Sequence, residues 1–109
     1  MPPKHYKYKA FISYSHQDKK WGDWLHKALE TYRVPKVLVG KKTRYGVTPK
    51  RLFPIFRDRE ELPTSAELGE VINQALDDSS HLIVICSPRS AKSIWVDEEI
   101  KEFTALKML

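Results

Sequence analysis

The chain has 109 residues, 41% hydrophobic and 30% charged, which suits one globular domain burying about two thirds of its unfolded surface. No run approaches the roughly 18 apolar residues of a membrane span, and the N-terminal MPPKHYKYK lacks the apolar segment of a secretory signal, so a cytoplasmic location without a membrane partner is expected. The net charge of +5 is unevenly spread, with 13 Lys/Arg against 3 Asp/Glu in residues 1–53 and 6 against 11 in residues 54–109; yet aromatic side chains are not interleaved with the basic ones as a nucleic-acid stacking platform needs, so solvated lysines around a loop are the preferred reading.

The first apolar run, YKAFISY at 8–14, predicts a strand. After it, Trp21, Trp24, Leu25, Ala28, Leu29 and Tyr32 recur at helical spacing and predict an amphipathic helix over about 18–32 with those residues on its buried stripe. Residues 33–51 hold two Pro, two Gly and seven basic residues, too long and too polar for a routine connection, and read as a mobile basic insertion. The second apolar run, LFPIF at 52–56, is short, with Pro54 marking a strand start or edge. A helix over about 65–77 should follow, with Leu68, Val71, Ile72, Ala75 and Leu76 buried, Thr64 or Ser65 as N-cap and Glu67 in the first turn.

The third run, HLIVIC at 81–86, is nearly continuous β-branched and apolar sequence, as in a strand covered on both faces. Within it the single cysteine, Cys86, reads as a small core residue rather than a nucleophile. From about 93 to the C-terminus a last helix is predicted, with Val96, Ile100 and Phe103 as its apolar stripe and with Trp95 and Glu99, four apart, on a neighbouring face. Alternation of strand and helix implies an α/β fold with a parallel sheet. Three strands make a small sheet, so either further units or another chain is expected at an uncovered strand edge.

Ligands of open parallel sheets bind beyond the carboxyl ends of the strands. The segments SYSHQD (Ser13–Asp18), RDREELP (Arg57–Pro63) and SPRS (Ser87–Ser90) should therefore share one rim, with Trp95 and Glu99 nearby. Neither a P-loop nor a dinucleotide-fold glycine pattern is present, since Gly22, Gly40, Gly46 and Gly69 are scattered. His5, His16, His26 and His81 are dispersed and the cysteine stands alone, so no metal site is expected. The adjacent pair Ser15 and His16 is a poor hydrolytic dyad, because neighbours at a strand end tend to point apart.

Together FISYSHQD, FRDREELP and ICSPRSAKSIWVDEEI resemble the TIR (Toll/interleukin-1 receptor) domain, particularly its bacterial form, over Tyr6 to Leu109 and in the same order. The resemblance implies a flavodoxin-like parallel sheet flanked by helices, with residues 1–109 carrying three βα units and the C-terminal units missing. TIR domains are either scaffolds that bind one another or enzymes that cleave the nicotinamide–ribose bond of NAD+. In the enzymes a glutamate near the start of the third helix, four residues after an aromatic, carries the reaction, which points to Glu99 after Trp95.

The family likeness therefore implies an NAD+ hydrolase of signalling or defence, activated by self-association, with a non-catalytic interaction module as the alternative. NAD+ would be the substrate and no cofactor would be needed. Trp95, Tyr14, Ser15, His16, Asp58 and Ser87 would touch the substrate. The loop of Arg57, Asp58, Arg59, Glu60, Glu61, Leu62 and Pro63, the BB loop, would gate the pocket and mediate assembly. Further partners would be other TIR domains and repeat modules following this segment. From the residues alone another reading stays open, in which Trp95 is core and Glu99 a helix-surface charge; in the catalytic reading Glu99, on the rim, would contribute little to stability.

Overall fold

The computed structural model describes residues 6–44, 46–57 and 65–107. In chain order the elements are β1 (Ala10–Ser13), α1 (Lys19–Thr31), β2 (Lys42–Thr43), β3 (Gly46–Val47), β4 (Ile55–Arg57), α2 (Ser65–Asp77), β5 (Leu82–Val84) and α3 (Ile94–Lys107), with single 3-10 turns at His16–Asp18 and Ser90–Lys92. The main sheet has the order β4-β1-β5 and is parallel throughout, with Phe11 opposite both Phe56 and Leu82. This is the α/β arrangement expected from the alternation of elements.

All four residues of β1 are buried, and it is the middle strand. Its two-residue period sends Phe11 to one face, where Ile72, Ala75 and Leu76 of α2 meet it with Phe56, Phe103 and Leu106 around them. The same alternation sends Ala10 and Ile12 to the other face, against Ile55, Leu25 and Leu29. Each face thus has its own apolar cluster, and the direction of every side chain that follows β1 is set by this register.

Helix α1 departs from the expected stripe. Trp21 and Trp24 are 60% and 63% exposed, and Tyr32 is exposed too. The helix instead turns Gly22 inward, because the ring of Tyr14 lies flat against it and a Cβ there would stand 3.0 Å from Tyr14 Cζ. With Gly22, Leu25 and Leu29 facing the sheet, Trp21 lies roughly 100° around the axis and reaches solvent. On the same helix, Glu30 Oε2 accepts the N–H of Ile55 and His26 Nε2 donates to its carbonyl, each at 2.9 Å. Those two side chains occupy the outer edge of β4 at Ile55.

The described residues of 33–51, the stretch read as a mobile basic insertion, include a short antiparallel pair. β2 and β3 pair antiparallel, Val34 N–H bonds the carbonyl of Lys50 at 2.9 Å, and Gly46 takes φ +110° in the turn, a conformation that favours glycine. The second strand also begins later than predicted, at Ile55, since Pro54 has no N–H for the ladder. Strand β5 is shorter than the apolar run and only partly buried, and Cys86 is exposed, which corrects its reading as a core residue. The cause is position: Cys86 lies beyond Val84, where β5 ends, and among the described residues β1 is the strand with a neighbour on each side.

Helix α2 matches its predicted limits, Ser65–Asp77, and buries Ile72, Ala75 and Leu76, although Val71 is exposed. The carbonyls of Leu76 and Asp77 at its end are met by Lys107 Nζ at 3.4 and 3.1 Å. Helix α3 buries Val96 and Glu99, with Phe103 and Leu106 partly buried, whereas Ile100 faces solvent. A carboxylate therefore occupies a place on the packed stripe that the sequence reading assigned to Ile100. Among the described residues no helix is long and apolar enough to cross a membrane.

Candidate functional site

At the carboxyl end of β1 the chain turns through Tyr14 and Ser15 into the His16–Asp18 turn, while beyond β5 it runs through Ser87 to the Ser90–Lys92 turn and α3. Between these two connections lies a cleft of about 800 Å³. Tyr14, Ser15, His16 and Gln17 form one wall, and Arg89, Lys92 and Trp95 stand on the other.

Asp18 ties the walls together. Its carboxylate is 2% exposed, accepts the Ser87 hydroxyl at 2.5 Å and pairs with Arg89 Nη1 at 3.0 Å. Ser87 Oγ in turn accepts the N–H groups of Arg89 and Ser90, and Ser90 Oγ accepts the Ser87 N–H at 2.8 Å. A buried carboxylate is costly unless it is paired and hydrogen-bonded, and here both conditions are met by residues of one loop. The result is a braced connection between two strand ends that are not linked in sequence.

Glu99 has a different setting. Ser13, the last residue of β1, is fully buried and donates its hydroxyl to Glu99 Oε1 at 2.8 Å. The alternation along β1 explains the meeting, since Ser13 follows Phe11 to the α2 and α3 face while Tyr14 follows Ile12 to the α1 face. Trp95, one turn earlier on α3, is 56% exposed and stands in the cleft, so the indole and the carboxylate expected on one face differ in surroundings. The alternative sequence reading, with Trp95 in the core and Glu99 solvated, is the reverse of what the structure holds.

Of the residues proposed from sequence, Tyr14, Ser15, His16 and Trp95 are brought together around the cleft. Ser87 lies beside it with its hydroxyl engaged by Asp18. Glu99 is not on the lining but behind it, 3% exposed. Arg57 is directed to α1, where it forms an ion pair with Asp23. Asp58, Arg59, Glu60, Glu61, Leu62 and Pro63 lie outside the described residues.

Sequence reasoning missed Ser13, Asp18, Arg89 and Lys92 as individual contributors. The first three lay inside the quoted strand-end segments, but nothing in a linear segment says which side chains cross to another loop. Strand alternation could have singled out Ser13 as the one hydroxyl of β1 directed to the α3 face. Among the described residues, no group of three or more His, Cys, Asp or Glu is placed to hold a metal ion.

Comparison with known proteins agrees with this geometry. The family model described as TIR domain matches residues 10–108. The chain is also similar to the NAD(+) hydrolase ApTIR of Actinoplanes sp., at 34% identity over 99 residues, which cover 89% of this chain and 12% of that protein. No solved structure gave a significant match.

Proposed function

The chain belongs to the TIR domain family, and we propose that it is the NAD+-cleaving domain of a bacterial-type TIR protein, hydrolysing the nicotinamide–ribose bond in a signalling or defence response. One observation carries this reading: a buried glutamate, Glu99, is held by a strand-end serine one helical turn after an exposed tryptophan in a cleft. The name of the Actinoplanes relative supports the same substrate.

The chemistry needs little more than one anion. Nicotinamide in NAD+ carries positive charge on its ring nitrogen and departs neutral with the bonding electrons, so no general acid is required. Positive charge grows instead on the ribose anomeric carbon, and the Glu99 carboxylate opposes it. Water then adds to that carbon and releases a proton, leaving ADP-ribose and nicotinamide. Trp95 would pack against a flat ring of the dinucleotide and exclude water from the reacting face.

With Glu99 buried, contact with the ribose requires the cleft wall to move first, which fits an enzyme switched on by association with further TIR domains. The same burial favours a second reading, in which Glu99 is a structural carboxylate and the domain only binds partners. Nicotinamide release from NAD+ by the full-length protein, measured for wild type and Glu99→Gln, separates the two. The hydrolase reading expects release by wild type and a loss of about a hundredfold or more in the variant. Equal rates would remove Glu99 from the mechanism, and no release from either, across a range of protein concentrations, would leave the binding module.

A further inference from the structure

We propose that Arg89 receives the diphosphate of the dinucleotide and that Asp18 is the positioning residue that presents it. This rests on reading the cleft as the NAD+ site. The connection after β1 brings Tyr14, Ser15, His16 and Gln17 to the cleft, with no lysine or arginine among them. The folded chain brings cations from the opposite wall, Arg89 and Lys92.

The geometry of Arg89 distinguishes it from a loose surface cation. Its Nη1 is held by Asp18 at 3.0 Å, while the side chain as a whole remains 53% exposed. Only one of the guanidinium's several N–H donors is engaged by a described residue, so a planar fork remains for two phosphate oxygens. Asp18 is itself sealed from solvent, with Ser87 on its carboxylate, and an incoming anion meets the guanidinium rather than the carboxylate that orients it. Fixing the arginine beforehand lowers the ordering cost of binding.

The remainder of the cleft suits the same ligand. Trp95 offers an exposed indole beside the two cations, and Tyr14 stands opposite. A dinucleotide is two flat ring systems joined by a diphosphate, and a cleft lined by an exposed indole and two cations suits it.

The test uses the full-length protein and two probes, ADP and adenosine, which share the ring and ribose but differ in the diphosphate. Titration calorimetry should show tighter binding of ADP than of adenosine by wild type. Arg89→Gln should weaken ADP about tenfold, leave adenosine unchanged and raise the KM for NAD+ with little change in kcat, while Arg89→Lys should recover part of the affinity. Asp18→Asn should shift ADP in the same direction by a smaller factor, at a KM-against-kcat split a general loss of folding would not produce. Equal ADP affinity in wild type and Arg89→Gln would overturn the proposal, as would equal affinity of wild type for ADP and adenosine. Selective loss of ADP binding in a protein that releases no nicotinamide would uphold the anion site and sink the hydrolase reading instead.

Discussion

Asp18 and Glu99 are buried to nearly the same degree, 2% and 3% exposed, and both accept a serine hydroxyl, yet their further surroundings differ. Asp18 also holds a guanidinium and joins the loop after β1 to the loop after β5. Glu99 sits on the packed stripe of α3 and takes its hydroxyl from the end of β1 itself. One carboxylate is therefore part of a brace between two strand-end loops, and the other is placed at the carboxyl end of a parallel sheet, where ligands of such folds bind. Burial alone does not say what a carboxylate is for; its partners do.

Breaking each carboxylate should give opposite signatures. The largest effect expected is on turnover: Glu99→Gln keeps an acceptor for Ser13 but loses the charge, and nicotinamide release should fall about a hundredfold or more, whereas Asp18→Asn should change kcat by less than about threefold. Stability should order them the other way. Asp18→Ala removes the acceptor of both Ser87 and Arg89 and should cost about 2–3 kcal/mol, while Glu99→Ala, which leaves the buried Ser13 hydroxyl without this acceptor, should cost about 1–2 kcal/mol, both read by urea unfolding. A Glu99→Ala protein less stable than Asp18→Ala would mean that Glu99 is the structural member of the pair.

Two smaller effects sharpen the contrast between the cleft and the core. Gly22→Ala gains about 1 kcal/mol of helix propensity but sets a methyl 3.0 Å from the Tyr14 ring, so the melting temperature should barely move while the KM for NAD+ rises several-fold as Tyr14 shifts. Trp95→Ala should likewise lower affinity with a stability change of under about 1 kcal/mol, because the indole is half in solvent; a large drop in melting temperature would return it to a packing role.

The smallest effect concerns Lys101, whose pKa is raised above its ordinary 10.5 by the hydrogen bond to Asp97 and by that carboxylate's charge. A raised folded value means that any stabilisation is complete at neutral pH and fades only as pH climbs past 10.5. Lys101 is fully exposed and stays charged below 10.5, so melting curves of wild type and Lys101→Met should stay parallel from about pH 6 to about pH 9, with solvent screening the pair.

Much of this was written in the chain itself. Apolar runs and period-3.6 patterns identified the three strands of the main sheet, the helices and the α/β class, though not the short β2–β3 pair, because burial of an apolar face is a local demand repeated along each element. They also marked the rim on which the cleft lies, since the carboxyl ends of parallel strands share one edge. What depended on tertiary structure was which side of each helix faces inward and which polar groups meet. Trp21 and Trp24 form the more apolar side of α1 by sequence, but the close approach of Tyr14 to Gly22 rotates them out. Glu99 belongs by composition to the charged start of α3, but the Ser13 hydroxyl at the end of β1 lets it sit on the buried stripe. Asp18 and Arg89 are 71 residues apart, and no local pattern can announce an ion pair that exists only after two strands have come together in one sheet.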